Sequence, residues 1–252
     1  MRIEFIIMKL IASKIKIPTE TPIVCRQGLL DTLRDNLESC HATVIDGRTG
    51  TGKTMLAVDF VRRNARLAAW YKVDAPDLIL PVFIEYLVAS VACMRPGFGR
   101  QTLERLSRSS EKGREDGGGG EFDIAGLAEA FVYDLERLAE PLVLVIDDLH
   151  LIYDADWVIP FFHHLLPLLP AETHMLILGR GLPPAPMWRL RSKQRLVVIN
   201  EHMLAFTRTE AEELFAGYGL GAEEASLALE RTGGRAAGLH AAAVRAFAAL
   251  GG

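Results

Sequence analysis

Cysteine is scarce in this chain of 252 residues, which has only three of them. Cys25, Cys40 and Cys93 lie far apart and are odd in number. Their spacing fits neither a zinc site nor a disulfide framework, and this favours a reducing compartment. We therefore interpret them as small buried side chains rather than as metal ligands or cross-links.

Long apolar runs are also missing, since no stretch reaches the roughly 20 residues of a membrane-spanning helix. Residues 1–10 are apolar, but Glu4 and Lys9 interrupt them and no signal-peptide cleavage pattern follows. An excess of positive charge is absent too, because 28 Lys and Arg stand against 32 Asp and Glu, for a net charge of −4. These absences argue against nucleic-acid binding by bulk charge and predict a cytoplasmic protein that does not associate with membranes.

The most informative stretch is residues 47–54, which read Gly-Arg-Thr-Gly-Thr-Gly-Lys-Thr. This stretch fits the pattern G-x-x-x-x-G-K-[ST] of a phosphate-binding P-loop. Its glycines allow the backbone to approach a polyphosphate and to point N–H groups at it. We predict nucleotide contacts from the loop and the residue after it, namely Gly47, Thr49, Gly50, Thr51, Gly52, Lys53, Thr54 and Met55.

Lys53 and Thr54 carry the chemistry of this motif. Lys53 would supply a positive charge to the β- and γ-phosphates during catalysis, and Thr54 would supply a hydroxyl ligand for Mg²⁺. The plainer alternative is a glycine-rich turn that contains a lysine by chance. An apolar strand pattern at 42–45 and a helical pattern at 53–63 favour the P-loop, because a strand before and a helix after are the context that the motif requires.

A second candidate stretch is the apolar run at residues 142–146, which is followed by Asp147 and Asp148. Such a run predicts a buried parallel strand, and ligands bind at the carboxyl edge of parallel sheets. Asp147 is predicted to hold Mg²⁺ directly or through water, and Asp148 to orient or deprotonate the attacking water. The alternative is a strand end capped by solvated acids, which the upstream P-loop disfavours.

Three basic features follow these carboxylates. Arg180 ends the next predicted strand, level with Asp147, where it would contact the γ-phosphate; a surface arginine paired with an acid is the alternative. His150 lies two positions after Asp148, and we interpret it as a packed or solvated histidine. The basic cluster at 189–195 is short and lacks interleaved aromatic residues, which favours a solvated edge over a nucleic-acid contact.

The pattern of elements predicts an α/β fold. Half of the residues are hydrophobic and 24% are charged, as expected for a globular core. Five predicted strands, separated mostly by helices, imply a P-loop NTPase three-layer αβα sandwich with a parallel sheet. A strand near Trp70 comes between the P-loop and Asp147 along the chain, which fits the strand order 5-1-4-3-2.

Two structural units are predicted. Residues 1–200 would form the nucleotide-binding domain, with a flexible insertion at about 95–121 that ends in four glycines. A charged helix candidate lies inside the insertion at 101–109. Residues 201–252 are helical and alanine-rich, begin with a capping box from Thr207 to Glu210, and would form a small lid.

Together these stretches resemble one family, the STAND regulatory ATPases of the MalT type, found at the N-terminus of large LuxR-type bacterial transcription activators. The P-loop is generic, whereas the run Asp-Asp-Leu-His-Leu-Ile at 147–152 is more specific. The other matching pieces lie in order along nearly the whole chain, at 13–18, 26, 29–30, 69–70, 74, 178–180, 183–184, 189–191, 204–207, 210–211, 234 and 238–239.

The resemblance implies a cytoplasmic ATP/ADP switch that uses Mg²⁺. ADP would hold a closed resting form, ATP with an inducer would open it for self-association, and slow hydrolysis would reset it. Arg180 matches the arginine that senses the γ-phosphate in the family. Residues 14–18, including Ile17, and Arg26 lie where the family covers the adenine end of the nucleotide.

Two features depart from the family. Its lid usually has a Gly-x-Pro step whose proline packs on the nucleotide, whereas Gly234-Arg235-Ala236 has no proline. The family chain also continues into a winged-helix domain, an inducer-sensing repeat region and a DNA-binding helix-turn-helix. This sequence ends at Gly252, as a fragment or a short relative would, so direct DNA binding is not assigned to it.

Three functions compete at this point. The first is a regulatory switch, the second is a stand-alone P-loop ATPase that couples hydrolysis to work on a partner, and the third is an interaction scaffold with a degenerate P-loop. The complete P-loop and Asp-Asp set disfavours the scaffold. We identify no pocket for a phosphate acceptor and no arginine finger, and this favours slow hydrolysis and therefore the switch. The open alternative is that Arg189 or Arg191 serves as an arginine finger in trans. The absence of an Asn/Thr-Lys-x-Asp guanine motif favours ATP.

Overall fold

The structure, a computed structural model, describes residues 10–115, 122–181 and 196–250. Its strands are β1 (Ala42–Asp46), β2 (Leu67–Lys72), β3 (Leu142–Asp147), β4 (Thr173–Gly179) and β5 (Leu196–Ile199). Its α-helices are α1 (Gln27–Ser39), α2 (Lys53–Arg63), α3 (Leu80–Ala92), α4 (Arg100–Glu115), α5 (Ile124–Leu138), α6 (Val158–Leu168), α7 (Arg208–Ala216), α8 (Ala222–Thr232) and α9 (Ala236–Leu250). Short 3₁₀ helices cover Ala12–Ile15, Ala75–Leu78 and Leu149–Ile152.

Parallel pairing joins these five strands into one sheet with the order β2-β3-β4-β1-β5. Ala42 of β1 lies opposite Met175 of β4 on one side and Leu196 of β5 on the other. β4 therefore separates β1, which leads into the P-loop, from β3, which ends in the carboxylates. Counted from the other edge, this is the order 5-1-4-3-2, and the predicted sheet is confirmed.

Alternating side chains of the central strands supply two apolar cores. Leu144 of β3 belongs to the core shared with Phe131 of α5 and Phe161 of α6. Its neighbour Val145 belongs to the core on the opposite face, shared with Phe60 of α2. Because successive side chains of a strand point to opposite faces and both faces are covered, all of β3 is buried. The predicted three-layer αβα sandwich is confirmed.

Helix ends follow from local side-chain chemistry. The carboxylate of Asp123 accepts a hydrogen bond of 2.9 Å from the backbone N–H of Gly126 and caps α5. The predicted capping box at the start of α7 is confirmed, since Thr207 and Glu210 each accept from the other's backbone N–H.

The charged helix predicted at 101–109 is present as α4, which occupies residues 100–115, and the flexibility of the insertion at about 95–121 stays a prediction. The N–H and hydroxyl of Thr102 donate to the carboxylate of Asp134 on α5, at 2.9 and 2.7 Å, and both side chains are buried. A buried carboxylate that accepts several hydrogen bonds holds the two helices together. The glycines at 117–120 lie outside the described residues.

The helices α7, α8 and α9 pack around an apolar cluster of their own. Its buried members include Phe215 of α7, Ala225 of α8 and Leu239 of α9, together with Val24 from the N-terminal segment. These helices form the predicted lid, although its proposed boundary at residue 201 stays a prediction. Over the described ranges, none of the helices is both long and apolar enough to cross a membrane.

Candidate nucleotide site

The P-loop lies between the carboxyl end of β1 and the first residue of α2, where a nucleotide would be expected in such a sheet. Gly50 and Gly52 have φ values of +80° and +92°, which residues with a Cβ rarely adopt. A Cβ at Gly50 would also lie 2.8 Å from the Cβ of Ala237, at the start of α9. Glycine is therefore required here by the turn and by the close approach of the lid.

The remaining predicted loop residues shape its backbone. The buried hydroxyl of Thr51 donates to the carbonyl of Arg48 at 2.9 Å, and a Cβ at Gly47 would lie 2.9 Å from that same hydroxyl. The carbonyl of Thr49 accepts hydrogen bonds from the guanidinium of Arg235 in the lid. These contacts from within the loop and from the lid fix the loop backbone on which the predicted phosphate contacts depend.

Lys53 opens α2 and is buried. Its ammonium donates to the carbonyls of Gly47 and Arg48, at 2.6 and 3.1 Å. Burial lowers the pKa of Lys53, and the negative charges of Asp148, Asp147 and Asp46 oppose that effect, while Arg180 adds to it. The lysine therefore lies within electrostatic range of the predicted catalytic carboxylates.

Thr54 and Asp147 meet across the crevice. The hydroxyl of Thr54 lies 3.2 and 3.4 Å from the two carboxylate oxygens of Asp147. Burial raises the pKa of Asp147 to about 6, helped by repulsion from Asp148 and opposed by the Thr54 hydrogen bond and by Lys72 and Lys53. A hydroxyl and a buried carboxylate are hard oxygen ligands, so this pair fits the Mg²⁺ that the motif implies.

Asp148 has an unusual backbone conformation, with φ at +62° and ψ at +29°. It is partly exposed, and one carboxylate oxygen lies 3.8 Å from Nδ1 of His150. That Nδ1 is buried and has no hydrogen-bond partner among the described residues, and burial lowers the pKa of His150. Left-handed backbone at non-glycine residues is concentrated at functional sites, and here the second carboxylate acts electrostatically on Lys53.

Arg180 follows the last residue of β4 and is exposed. Its positive charge acts on both Lys53 and His150, where it lowers each pKa. The structure thus brings together the predicted catalytic residues Lys53, Asp148 and Arg180 and the predicted metal pair.

A cavity of about 460 Å³ adjoins the P-loop on the lid side. Its mainly apolar lining comes from residues 20–24, the P-loop, α2 and the lid. Four residues predicted to contact the nucleotide line it, namely Arg26, Gly50, Gly52 and Met55. An apolar cavity next to a phosphate-binding loop is suited to the flat face of a nucleobase.

Ile17 does not reach this cavity. It lines a different one, with Leu67, Met94 and Pro141. Lys14 is also engaged elsewhere, because its ammonium lies 2.6 Å from the fully buried carboxylate of Asp77. This ion pair holds residues 14–18 against the β2 edge, and residues 20–24 line the cavity instead. The contact of residues 14–18 with the base stays a prediction.

Arg26 lines the cavity wall, but its guanidinium is directed into the lid. It donates to the carbonyl of Leu204 at 2.8 Å, to that of Ala205 at 2.9 Å and to the carboxylate of Glu210 at 3.1 Å. The guanidinium also lies 4.4 Å from the centre of the Phe206 ring. Arg26 thus fastens the N-terminal segment to the lid.

Sequence reasoning missed three contributors to the site. Asp46 ends β1 and accepts from the backbone N–H of Gly181 at 2.7 Å, and its place at a strand end before the P-loop was a usable signal. Glu201 pairs with Arg48 at 2.6 Å, which lowers the pKa of Glu201 to about 2. The N–H of Ala237 donates to the carbonyl of Gly50 at 2.9 Å. No local signal marks the last two, and the basic cluster at 189–195 lies outside the described residues.

Comparison with known proteins identifies the family to which the chain is related. The AAA ATPase domain family matches residues 22–178, which include the P-loop and both carboxylates. The HTH-type transcriptional regulator MalT is 28% identical to the chain in Serratia proteamaculans and 29% in Yersinia enterocolitica, over 207 residues in each case. Each match covers 82% of this chain and 22% of the relative, so the chain spans about a fifth of the length of these relatives.

Two solved structures share the fold. A signal transduction ATPase with numerous domains and a tetratricopeptide repeat sensor, from Pyrococcus horikoshii, aligns with a TM-score of 0.55 and 19% identity, over 86% of this chain and 29% of its own. A Walker-type ATPase of Pyrococcus abyssi aligns with a TM-score of 0.53 and 11% identity, over 93% of this chain and 75% of its own. The two structures show the fold, and the family model and the MalT relatives together with them confirm the resemblance predicted from the motifs.

Proposed function

The chain belongs to the AAA ATPase domain family, and we propose that it is the ATP/ADP-dependent switch module of a bacterial transcription regulator, with slow Mg²⁺-dependent ATP hydrolysis. The observation that carries this proposal is the convergence of Lys53, the Thr54–Asp147 pair, Asp148 and Arg180 beside one cavity of about 460 Å³. The module works in the cytoplasm, and further domains of a larger regulator bind the DNA.

Each of these residues has a distinct task in hydrolysis. Lys53 neutralises the terminal phosphates, and Thr54 and Asp147 hold Mg²⁺, which when bound supplies charge neutralisation at the phosphate oxygens. Asp148 orients or deprotonates the attacking water from its position above β3. Arg180 contacts the γ-phosphate and so distinguishes ATP from ADP.

Slow hydrolysis fits the switch because a resting state must persist between signals. We identify no arginine finger in the sequence, and such a finger raises the rate by about a thousandfold or more. The lid supports product retention, since Ala236 and Ala237 contact the P-loop and Arg26 fastens the lid to the N-terminal segment. In this scheme ATP with an inducer opens the closed form and permits self-association.

A time course with radiolabelled ATP and Mg²⁺ tests the proposal, under single-turnover conditions and with excess substrate. We expect one equivalent to be hydrolysed slowly and ADP to stay bound. Lys53→Ala should abolish binding, and Arg34→Ala, at an exposed cation of α1, should not. Steady release of free ADP over many turnovers would instead identify a stand-alone ATPase that drives work on a partner.

A further inference from the structure

The turn that carries Arg180 is attached to the beginning of the P-loop at two points. The backbone N–H of Gly47 donates to the carbonyl of Gly179 at 3.3 Å. The backbone N–H of Gly181 donates to the carboxylate of Asp46 at 2.7 Å. Residues 46 and 47 therefore hold the residues on either side of Arg180.

Charge and geometry make the contact of Asp46 the stronger of the two. A hydrogen bond to an ionised carboxylate is about twice as strong as one between neutral groups. Asp46 is the last residue of β1, which pairs with β4 in register up to Gly179, so the rigid sheet fixes its backbone. The carboxylate also acts electrostatically on Lys53, which places it at the crevice rather than on a remote edge.

The shape of the turn is restricted further by its glycines and by Tyr153. Gly181 has a φ of +100°, which residues with a Cβ rarely adopt. A Cβ at Gly179 would lie 3.2 Å from the hydroxyl of Tyr153, so the turn packs closely on that side chain. With its neighbours held in this way, Arg180 has few backbone conformations from which to present its guanidinium.

We infer that Asp46 is a positioning residue that fixes the turn carrying Arg180 and so couples the end of β1, directly before the P-loop, to recognition of the γ-phosphate. Asp46 acts through Arg180 and does not itself contact the nucleotide. The inference rests on the proposed function, because it deepens the role given there to Arg180.

Two variants at this position separate hydrogen bonding from charge. Asp46→Ala removes the acceptor for the Gly181 N–H, whereas Asp46→Asn keeps an acceptor oxygen and removes the charge. Asp46→Ala should lower kcat for ATP hydrolysis about tenfold or more, as expected when a reacting group is misplaced by about 1 Å. ADP affinity should stay near its wild-type value, while KM for ATP should rise severalfold because chemistry is slow and KM follows ATP binding. Asp46→Asn should lose less than Asp46→Ala, and Asp35→Ala on the exposed surface of α1 serves as control.

A second measurement does not depend on turnover. The ratio of the dissociation constants for ADP and ATP reports recognition of the γ-phosphate, and Arg180→Ala should reduce it severalfold. Asp46→Ala should reduce it in the same direction and should add little in the Arg180→Ala background, because both changes act on one contact.

The outcomes separate this inference from the function it rests on. A wild-type chain that binds no ATP overturns the proposed function. If the wild-type chain binds ATP normally, an unchanged ratio of the ADP and ATP dissociation constants in Asp46→Ala overturns the positioning role. The role is also overturned if the double variant loses the full sum of the two single-variant losses. Equal losses in Asp46→Asn and Asp46→Ala show that the acceptor oxygen is not responsible and also overturn it. Thermal unfolding of each variant identifies a general loss of folding.

Discussion

The hydroxyl of Thr54 lies 3.2 Å from a carboxylate oxygen of Asp147, although 93 residues separate the two along the chain. One residue belongs to the first turn of α2 and the other to the end of β3, and β4 lies between β1 and β3 in the sheet. The parallel sheet therefore brings two metal-ligand types to one place, with Lys53 beside them.

This pair predicts how nucleotide affinity depends on magnesium. Thr54→Ala and Asp147→Asn should each remove most of the gain in ATP affinity that Mg²⁺ provides, by about tenfold or more, since even indirect partners of a metal site contribute that much. Titration calorimetry with and without EDTA measures the gain. Thr54→Ser keeps the hydroxyl and should retain the gain in ATP affinity that Mg²⁺ provides. An undiminished magnesium effect in Thr54→Ala would remove this residue from the metal site.

The contact between Gly50 and the lid makes a second prediction. Gly50→Ala should destabilise the protein by about 1–3 kcal/mol, because alanine is strained at a φ of +80° and its Cβ would lie 2.8 Å from that of Ala237. ATP affinity should fall as well. Chemical denaturation and nucleotide titration measure the two effects.

Gly28 provides the matched control for this change. It lies in α1, and a Cβ added there would have no other atom within 4 Å, so Gly28→Ala should be neutral or stabilising by up to about 1 kcal/mol. Adding Ala237→Gly to Gly50→Ala should restore part of the loss by removing the steric contact. No recovery in that double variant would place the whole effect in the loop backbone.

The pair of buried Arg26 and partly buried Glu210 predicts how firmly the lid is held. Arg26→Ala should destabilise the protein by about 3 kcal/mol, since it leaves a shielded carboxylate and two carbonyls without their donor. Hydrogen exchange should show the loss of amide protection first in α7. Arg208→Ala breaks an exposed pair with Glu212 on the same helix and should cost less than about 0.5 kcal/mol. Equal effects of the two changes would contradict the role given to Arg26.

The burial of His174 predicts part of the loss of folding stability at acid pH. It is buried between the carbonyl of Cys40 at 3.1 Å and the hydroxyl of Thr43 at 3.0 Å, and burial lowers its pKa from 6.5 to about 4. Between these values the unfolded chain binds the proton and the folded chain does not. The contribution of neutral His174 to the free energy of unfolding is therefore fully present above pH 6.5. It is lost as the pH drops toward 4, and the loss is on the order of 3 kcal/mol.

Denaturation at a series of pH values measures this contribution. His174→Gln cannot take up the proton, so its stability should vary less between pH 6.5 and pH 4, whatever its stability at neutral pH. His163→Gln, at an exposed histidine of α6, should keep the wild-type slope. A slope for His174→Gln equal to that of wild type would assign the acid sensitivity to other groups.

Much of the fold was predictable because it depends on patterns within short segments. The glycine spacing of the P-loop, the apolar run of β3 and the capping box of α7 each act over fewer than ten residues. Their order along the chain then restricts a parallel sheet to few arrangements. The packing of α4 on α5 was not predictable, since the charged sequence of α4 gives no local sign that Asp134 binds its first turn.

The sequence by itself determined the chemical groups at the site, because Lys53, Thr54, Asp147 and Asp148 are recognised by type and spacing. Only the tertiary structure decided which residues surround them. It placed Ile17 at a different cavity, directed Arg26 into the lid and attached Asp46 to the turn of Arg180. The physical reason is that these contacts join segments far apart in sequence, and their geometry exists only once the sheet and the lid have packed.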